Sequence, residues 1–328
     1  MSAIWPVAAA IWMLTGDDGS AVGSLNVDDA APTYSLRGPL PLARAGVDRA
    51  GHRRSDEQWL DAAWRDLRTR AFVVADGLVA VQDGRLVFGL PSEMPAGERF
   101  FLGIDDDNVA YFAVHVDGAH PDPQAVGLRQ AALLLDVQDG GLMVHAVALA
   151  NWHQAHQYCS RCGERTIVVL AGHVRRCPTD GSEHFPRTDP AVIVLVVDDD
   201  DRCLLGRQDS WPAGWFSTLA GFVEPGESPE QAVVREVAEE TGIVVTASTY
   251  AGSQPWPFPS SLMLGYYARA DGAEPRPDGV ELSEAYWYSR GELDAALRSG
   301  AMRLSPSVSI SRRLIEGWYG AQLDSLPR

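Results

Sequence analysis

Apolar positions recur along this chain with two different periods, and the periods lay out its elements. Trp59, Leu60, Ala63, Trp64 and Leu67 fall at helical spacing. Ala71–Ala75, Leu78–Gln82 and Arg85–Leu90 read as strands, with Asp83-Gly84 as a hairpin turn. An Ala- and Leu-containing stretch from Gly141 to about His156 predicts a longer helix. Ala191–Val197 is apolar at every position and rich in Val and Ile, which predicts a central strand buried on both faces. Further strands are expected at Arg202–Gly206, Leu262–Ala270 and Tyr286–Tyr288, and helices over Gly291–Arg298 and Pro306–Trp318. Strands interleaved with helices in this second half predict an α/β/α sandwich around a mixed sheet. The expected organisation is an α+β domain over residues 1–156, a small module over 157–188 and the sandwich over 189–328. The apolar opening Trp5–Leu14 is too short to span a bilayer and reads as a buried strand.

One helix interrupts the apolar pattern with charge. Ser228 can cap it, Pro229 suits its first position, and Gln231 completes a capping box. Ala232, Val233 and Val237 give it an apolar side, and Gly242 stops it. Its other side carries Glu236, Glu239 and Glu240 at i, i+3 and i+4, within one turn of each other. Three like charges so close repel, and a hard divalent cation removes the conflict. Mg²⁺ takes oxygen ligands and commonly sits between carboxylates and a phosphate. Arg235 stays protonated and is no metal ligand; an ion pair with Glu227 would fix the preceding loop to the helix.

Gly221, Glu227, Arg235, Glu236, Val237, Glu239, Glu240, Gly242 and Ile243 fill every specified position of G-x5-E-x7-R-E-U-x-E-E-x-G-U, U being aliphatic. The chain therefore resembles the Nudix hydrolases. A solvated acidic helix face would account for neither the glycines nor the arginine. A second array, Ser253-Gln254-Pro255-Trp256-Pro257-Phe258-Pro259-Ser260-Ser261, is similar to the one that marks the NADH pyrophosphatase branch. Its alternate prolines hold an extended backbone, a rigid shelf that lowers the ordering cost of binding a flexible dinucleotide.

The resemblance implies a Nudix sandwich that uses Mg²⁺ or Mn²⁺ to cut NAD(H) into NMN(H) and AMP, removes NAD caps from RNA 5′ ends, and works as a homodimer. It implies Glu236, Glu239 and Glu240 as catalytic ligands, with Glu240 also activating the attacking water. The Ala220 carbonyl and Glu281 would be further ligands. Substrate contacts would come from Phe222, from Gln254 to Ser261, and from Ser311. Phe185 stands where relatives can carry a tyrosine near the nicotinamide, so stacking would survive without a hydroxyl contact. A broader Nudix hydrolase of ADP-ribose or dinucleoside polyphosphates is the alternative. A non-catalytic nucleotide sensor is the third reading, and no signature glutamate is missing to favour it.

Cysteine usage changes the picture of the middle module. Cys159, Cys162 and Cys177 resemble a zinc ribbon whose fourth thiolate is replaced by Asp180, with His184 as a second candidate donor. The module either holds structural zinc or keeps only the fold. Cys203 lies alone in an apolar run and is expected in the core. His153 and His156 are expected to play plain surface roles. A formal net charge of −17 argues against a broad grip on nucleic acid or an acidic membrane, though not against recognition of one nucleotide at a chain end. With no secretory signal and an ending, Leu326-Pro327-Arg328, that is not a peroxisomal address, the cytoplasm is the expected location.

Overall fold

A computed structural model describes residues 32–323, so the strand expected at Trp5–Leu14 lies outside the described residues. The N-terminal part opens with α1 (Glu57–Arg65), whose Asp56 carboxylate caps the Trp59 N–H. Three strands follow: β1 (Arg70–Val74), β2 (Glu98–Ile104) and β3 (Ala110–His115). They form a mixed sheet in the order β1-β3-β2, with β1 parallel to β3. Alternation across the strands divides their side chains. Phe72, Val74, Phe100, Leu102 and Ala113 pack against Leu142, Met143, Ala146 and Val147 of α2 (Val137–Ala155). Ala71, Phe101, Ala110 and Phe112 pack against Trp59, Leu60, Ala63 and Trp64 of α1. The sheet is thus covered on both faces.

α2 starts at Val137, earlier than the apolar pattern suggests, because Asp136 caps it. Asp139 in its first turn takes the Arg85 guanidinium at 2.7 Å and the Leu86 N–H at 2.9 Å. That link holds the Asp83-Gly84 hairpin, and both turn residues have positive φ, 50° and 74°. The strands expected around it reduce to the pairs Leu78–Val79, Val81–Gln82 and Arg85–Leu86.

The middle module is a three-stranded antiparallel sheet of β4 (Ile167–Val169), β5 (Val174–Arg176) and β6 (Glu183–His184). The last part contains β7 (Asp189–Val197), β8 (Cys203–Arg207), β9 (Leu219–Phe222), α3 (Pro229–Thr241), β10 (Val245–Trp256), β11 (Ser261–Ala270), β12 (Glu284–Tyr288), α4 (Arg290–Ser299) and α5 (Ile310–Tyr319). Its sheet runs β10-β11-β7-β8-β12, with β7 parallel to β11. The other edge of β7 is shared: β9 pairs with its first half and β8 with its end. Val192, Val194 and Val196 face α3, while Ile193, Leu195 and Val197 face α4 and α5. This is the predicted α/β/α sandwich, and a one-residue slip of β7 would exchange its two faces. Cys203 is fully buried, as expected. The last helix starts at Ile310 rather than Pro306 because Ser309 caps it.

Candidate active site

β9 sets the first part of the site. Ala220, Gly221 and Phe222 pair in turn with Ile193, Val192 and Ala191 of β7, so the signature loop leaves from the buried strand. Ser228 and Gln231 form the predicted capping box, and Gly242 ends α3 at φ 70°. Gly221 leaves room for the Glu236 carboxylate, which a Cβ there would force to move.

Arg235 ties the parts together. Its guanidinium grips Glu227 with two bonds of 2.9 Å and donates to the Phe222 carbonyl at 2.8 Å. It also reaches Glu236 at 2.9 Å and Glu239 at 3.0 Å. Glu239 is exposed, whereas Glu236 and Glu240 are buried at 8% and 4% exposure. Burial raises the Glu236 carboxyl against the pull of Arg235. Burial also pushes the Glu240 carboxyl up to about 8, with Glu236, Glu281 and Asp278 adding to it. Glu240 Oε2 is buried without a hydrogen-bond partner.

Glu281, far away in sequence, belongs to this cluster, since its charge acts on both Glu236 and Glu240. Asp278 holds its loop by accepting from the N–H groups of Val280, Glu281 and Leu282 at 3.2, 3.1 and 2.9 Å. Sequence reading missed Asp278, although Asp-Gly two residues before Glu281 is an Asx-turn signal. Among the described residues these acids do not converge as the cysteine set does, since Glu236 and Glu239 turn to Arg235, but the buried Glu240 oxygen without a donor suits a hard divalent cation.

The shelf lies at the same end of the sheet. Phe222, Ala191, Met263 and Gln254 stand in register across β9, β7, β11 and β10. Asn151 of α2 donates to the Pro257 and Pro259 carbonyls at 2.9 and 3.3 Å. Ser260 donates to Asp189 at 2.7 Å. The Trp256 and Phe258 rings meet edge to face at 5.0 Å, with the Arg129 guanidinium 4.3 Å from the Phe258 ring centre. Pro255, Pro257, Ser260 and Ser261 border a cavity of about 430 Å³ together with Phe185. Phe185 and Phe222 leave their rings 65% and 60% exposed, ready for stacking.

Two expected substrate contacts face elsewhere. Gln254 is fully buried and donates to the Val308 carbonyl at 2.7 Å, because alternate strand residues point to opposite faces. Ser311 is fully buried on the inner side of α5, its hydroxyl 2.9 Å from those of Ser217 and Thr218.

In the middle module, Cys159, Cys162, Cys177 and Asp180 bring their donor atoms within 4.8 Å of one another. The Cys162 and Cys177 sulfurs are 3.5 Å apart, too far for a disulfide. A hydrogen bond from Ser182 is the main cause that lowers the Cys159 thiol to about 6, and the same residue lowers Asp180 to about 2. His184 lies 3.3 Å from the Ser182 hydroxyl and outside the four-donor set. Three thiols and a carboxylate in a closed group fit structural zinc.

His153 corrects its expected surface role. It is 2% exposed, stacks on Phe100 at 4.7 Å, and spans the Gly172 carbonyl at 2.7 Å and Arg175 at 2.8 Å. Burial lowers it to about 4, so the neutral ring donates from Nε2 and accepts at Nδ1. His156 is half-buried and close to the Trp152 carbonyl, 3.2 Å away. Among the described residues, no helix is long and apolar enough to cross a membrane.

Residues 187–307 match the NUDIX domain, residues 154–185 the NADH pyrophosphatase zinc ribbon domain, and residues 68–152 the NADH pyrophosphatase-like rudimentary NUDIX domain. The chain is 40% identical over 307 residues to the NAD-capped RNA hydrolase NudC of Mycobacterium bovis, covering 88% of this chain and 97% of that protein. It is 37% identical over 264 residues to the human mitochondrial NAD(P)H pyrophosphatase NUDT13, covering 75% of this chain and 74% of that one. The signature loop and helix, the cysteine module and the reduced N-terminal sheet therefore fall together in one lineage: the chain belongs to the Nudix hydrolases, in the group that joins a NUDIX domain to an NADH pyrophosphatase zinc ribbon and a rudimentary NUDIX domain.

Proposed function

We propose that the protein hydrolyses the pyrophosphate of NAD(H) to NMN(H) and AMP, and removes NAD caps from RNA 5′ ends. One observation carries the reading. The partnerless Glu240 and its acidic neighbours share one end of the sheet with the proline–aromatic shelf. Relatives named as an NAD-capped RNA hydrolase and an NAD(P)H pyrophosphatase support the same substrate.

Glu236, Glu239, Glu240, Glu281 and the Ala220 carbonyl would hold Mg²⁺ or Mn²⁺. The bound ion supplies charge neutralisation at the pyrophosphate oxygens and lowers the pKa of water at the site. With the ion bound beside it, Glu240 would be held as the carboxylate and take the proton from the attacking water. Arg235 holds Glu236 and Glu239 by ion pairs and the loop through Glu227, so these acids would turn to the bound ion from a shared anchor. Phe222 and Phe185, whose rings are exposed, supply the apolar faces for base and nicotinamide, while Trp256 and Phe258 pack against the N-terminal core and brace the shelf. The shelf backbone from Gln254 to Ser261 positions them, with Gln254 and Ser311 acting from behind it. We read the protein as a homodimer, as the resemblance implies, and as cytoplasmic, from its cysteine usage and the lack of a targeting signal in the sequence.

Incubation with NADH and Mg²⁺, alongside ADP-ribose and a dinucleoside tetraphosphate, tests this directly. NMNH and AMP in equal amounts, formed fastest from NADH, are the expected products on chromatography. Faster cleavage of ADP-ribose would overturn the substrate assignment. The ribbon is expected to hold about one zinc per chain by atomic emission, and Cys177→Ser to lose it with a fall of several degrees in Tm. Wild-type protein without zinc would refute the Cys₃Asp site.

A further inference from the structure

Two basic side chains that the hydrolysis does not use, His153 and Arg175, are buried at 2% and 3% exposure. They meet where α2 packs on the middle module. Arg175 donates to His153 Nδ1 at 2.8 Å, and to the Thr166 hydroxyl and carbonyl at 2.8 and 3.0 Å. The other ring nitrogen of His153 donates to the Gly172 carbonyl at 2.7 Å. Glu98 of β2 adds an opposite charge 3.8 Å from the guanidinium. A buried guanidinium is costly unless its N–H groups find acceptors, and these acceptors are fixed in direction. The contact therefore holds the module at one angle to α2, which apolar packing alone would not.

What that angle decides is the place of Phe185. Arg175 stands opposite His184 in the β5–β6 pair, and Phe185 follows His184 directly. At 65% exposure the Phe185 ring has too little packing to fix itself, so the strand end must do it. Beyond it, the Asp189 N–H donates to the Ser260 carbonyl at 2.9 Å, and the Asp189 carboxylate accepts from the Ser260 hydroxyl. The stretch between is pinned to α2 at one end and to the shelf at the other. α2 also holds the shelf, through the bonds of Asn151 to the Pro257 and Pro259 carbonyls. Asn151 and His153, two residues apart, point to different sides of the helix. Between these anchors α2 lines the 430 Å³ cavity with Val144, Ala148 and Leu149. One helix thus sets the gap between Phe185 and the shelf.

We propose that His153 and Arg175 are positioning residues, which fix Phe185 across the cavity from the shelf and so set how tightly the nicotinamide end is held. The proposal rests on the pyrophosphatase reading above. A ring that only grips the substrate is felt equally in the ground and transition states, so KM moves and kcat does not. Arg175→Met should raise KM for NADH about fivefold and leave kcat within about twofold of wild type. Competitive inhibition by ADP-ribose, which shares all of NAD except the nicotinamide, should stay within about twofold. In Phe185→Ala protein, Arg175→Met should add less than about twofold to KM, because the ring it positions is gone. Should Arg175→Met fail to fold, Arg175→Lys, which keeps the charge but not the fork, carries the same three measurements. Equal losses toward NADH and ADP-ribose, losses that multiply in the double variant, or no change in KM would overturn the proposal. If wild-type protein did not cleave NADH, the pyrophosphatase reading would fail instead. The anchoring is then read by amide hydrogen exchange. Faster exchange over residues 184–189 in the Arg175 variant, with α3 unchanged, would uphold it, and unchanged exchange there would sink it.

Discussion

Glu240→Gln is expected to lose more than about 10²-fold in turnover of NADH, while the metal-free protein melts higher than wild type at pH 8. The two effects have one cause. Burial raises the Glu240 carboxyl from 4.5 to about 8, helped by Glu236, Glu281 and Asp278. Between those values the unfolded chain has released the proton and the folded chain still holds it. Stability of the metal-free protein therefore falls as pH rises from about 4.5 to about 8, and is flat above that. At about 1.4 kcal/mol per pH unit the penalty is a few kcal/mol at most. Glutamine keeps the shape and carries no charge, so it escapes the penalty. Added Mg²⁺ should reverse the order, since only wild type gains the full binding energy of the ion. Thermal melts at pH 5 and pH 8, with and without Mg²⁺, together with NADH turnover, check all of this. Near-normal turnover in a folded variant would remove Glu240 from the chemistry.

Gly221→Ala should be nearly as damaging through geometry alone. The added Cβ overlaps the Glu236 carboxylate, and β9 cannot retreat because it is hydrogen-bonded to β7. Glu236 must swing away, breaking its link to the Arg235 that anchors the loop. Because the clash is with the end of a flexible side chain, the cost in stability is small and the damage falls on the position of Glu236. Displacing a reacting group by about 1 Å can cost on the order of 10²-fold in rate. We expect kcat/KM for NADH to fall by that order, with a modest drop in Tm. Unchanged kinetics would mean that Glu236 has no part in positioning the pyrophosphate.

Local patterns are readable where the physics is local. The cap at Ser228, the stop at Gly242 and the Glu227–Arg235 pair all lie within one loop and one helix, and each stands as the residue types suggest. The buried strand β7 announces itself because both of its faces are covered. Contacts between distant segments leave no comparable trace. Nothing near His153 in sequence indicates that Arg175 and the Gly172 carbonyl will enclose it. Asp278 looks like a turn residue until the fold brings its loop to Glu240. The motif misleads at Gln254 because it gives the order of residues, whereas strand register decides which of them point outward.

Asn151 holds the shelf from α2, and Arg129 lies over its aromatic rings, so the surface that would grip the dinucleotide is moored to the N-terminal half. The acids stand on a separate helix in the C-terminal half. Recognition and bond cleavage therefore have different mechanical supports. Substitutions at Asn151 or Arg129 would therefore loosen the shelf without touching the acids.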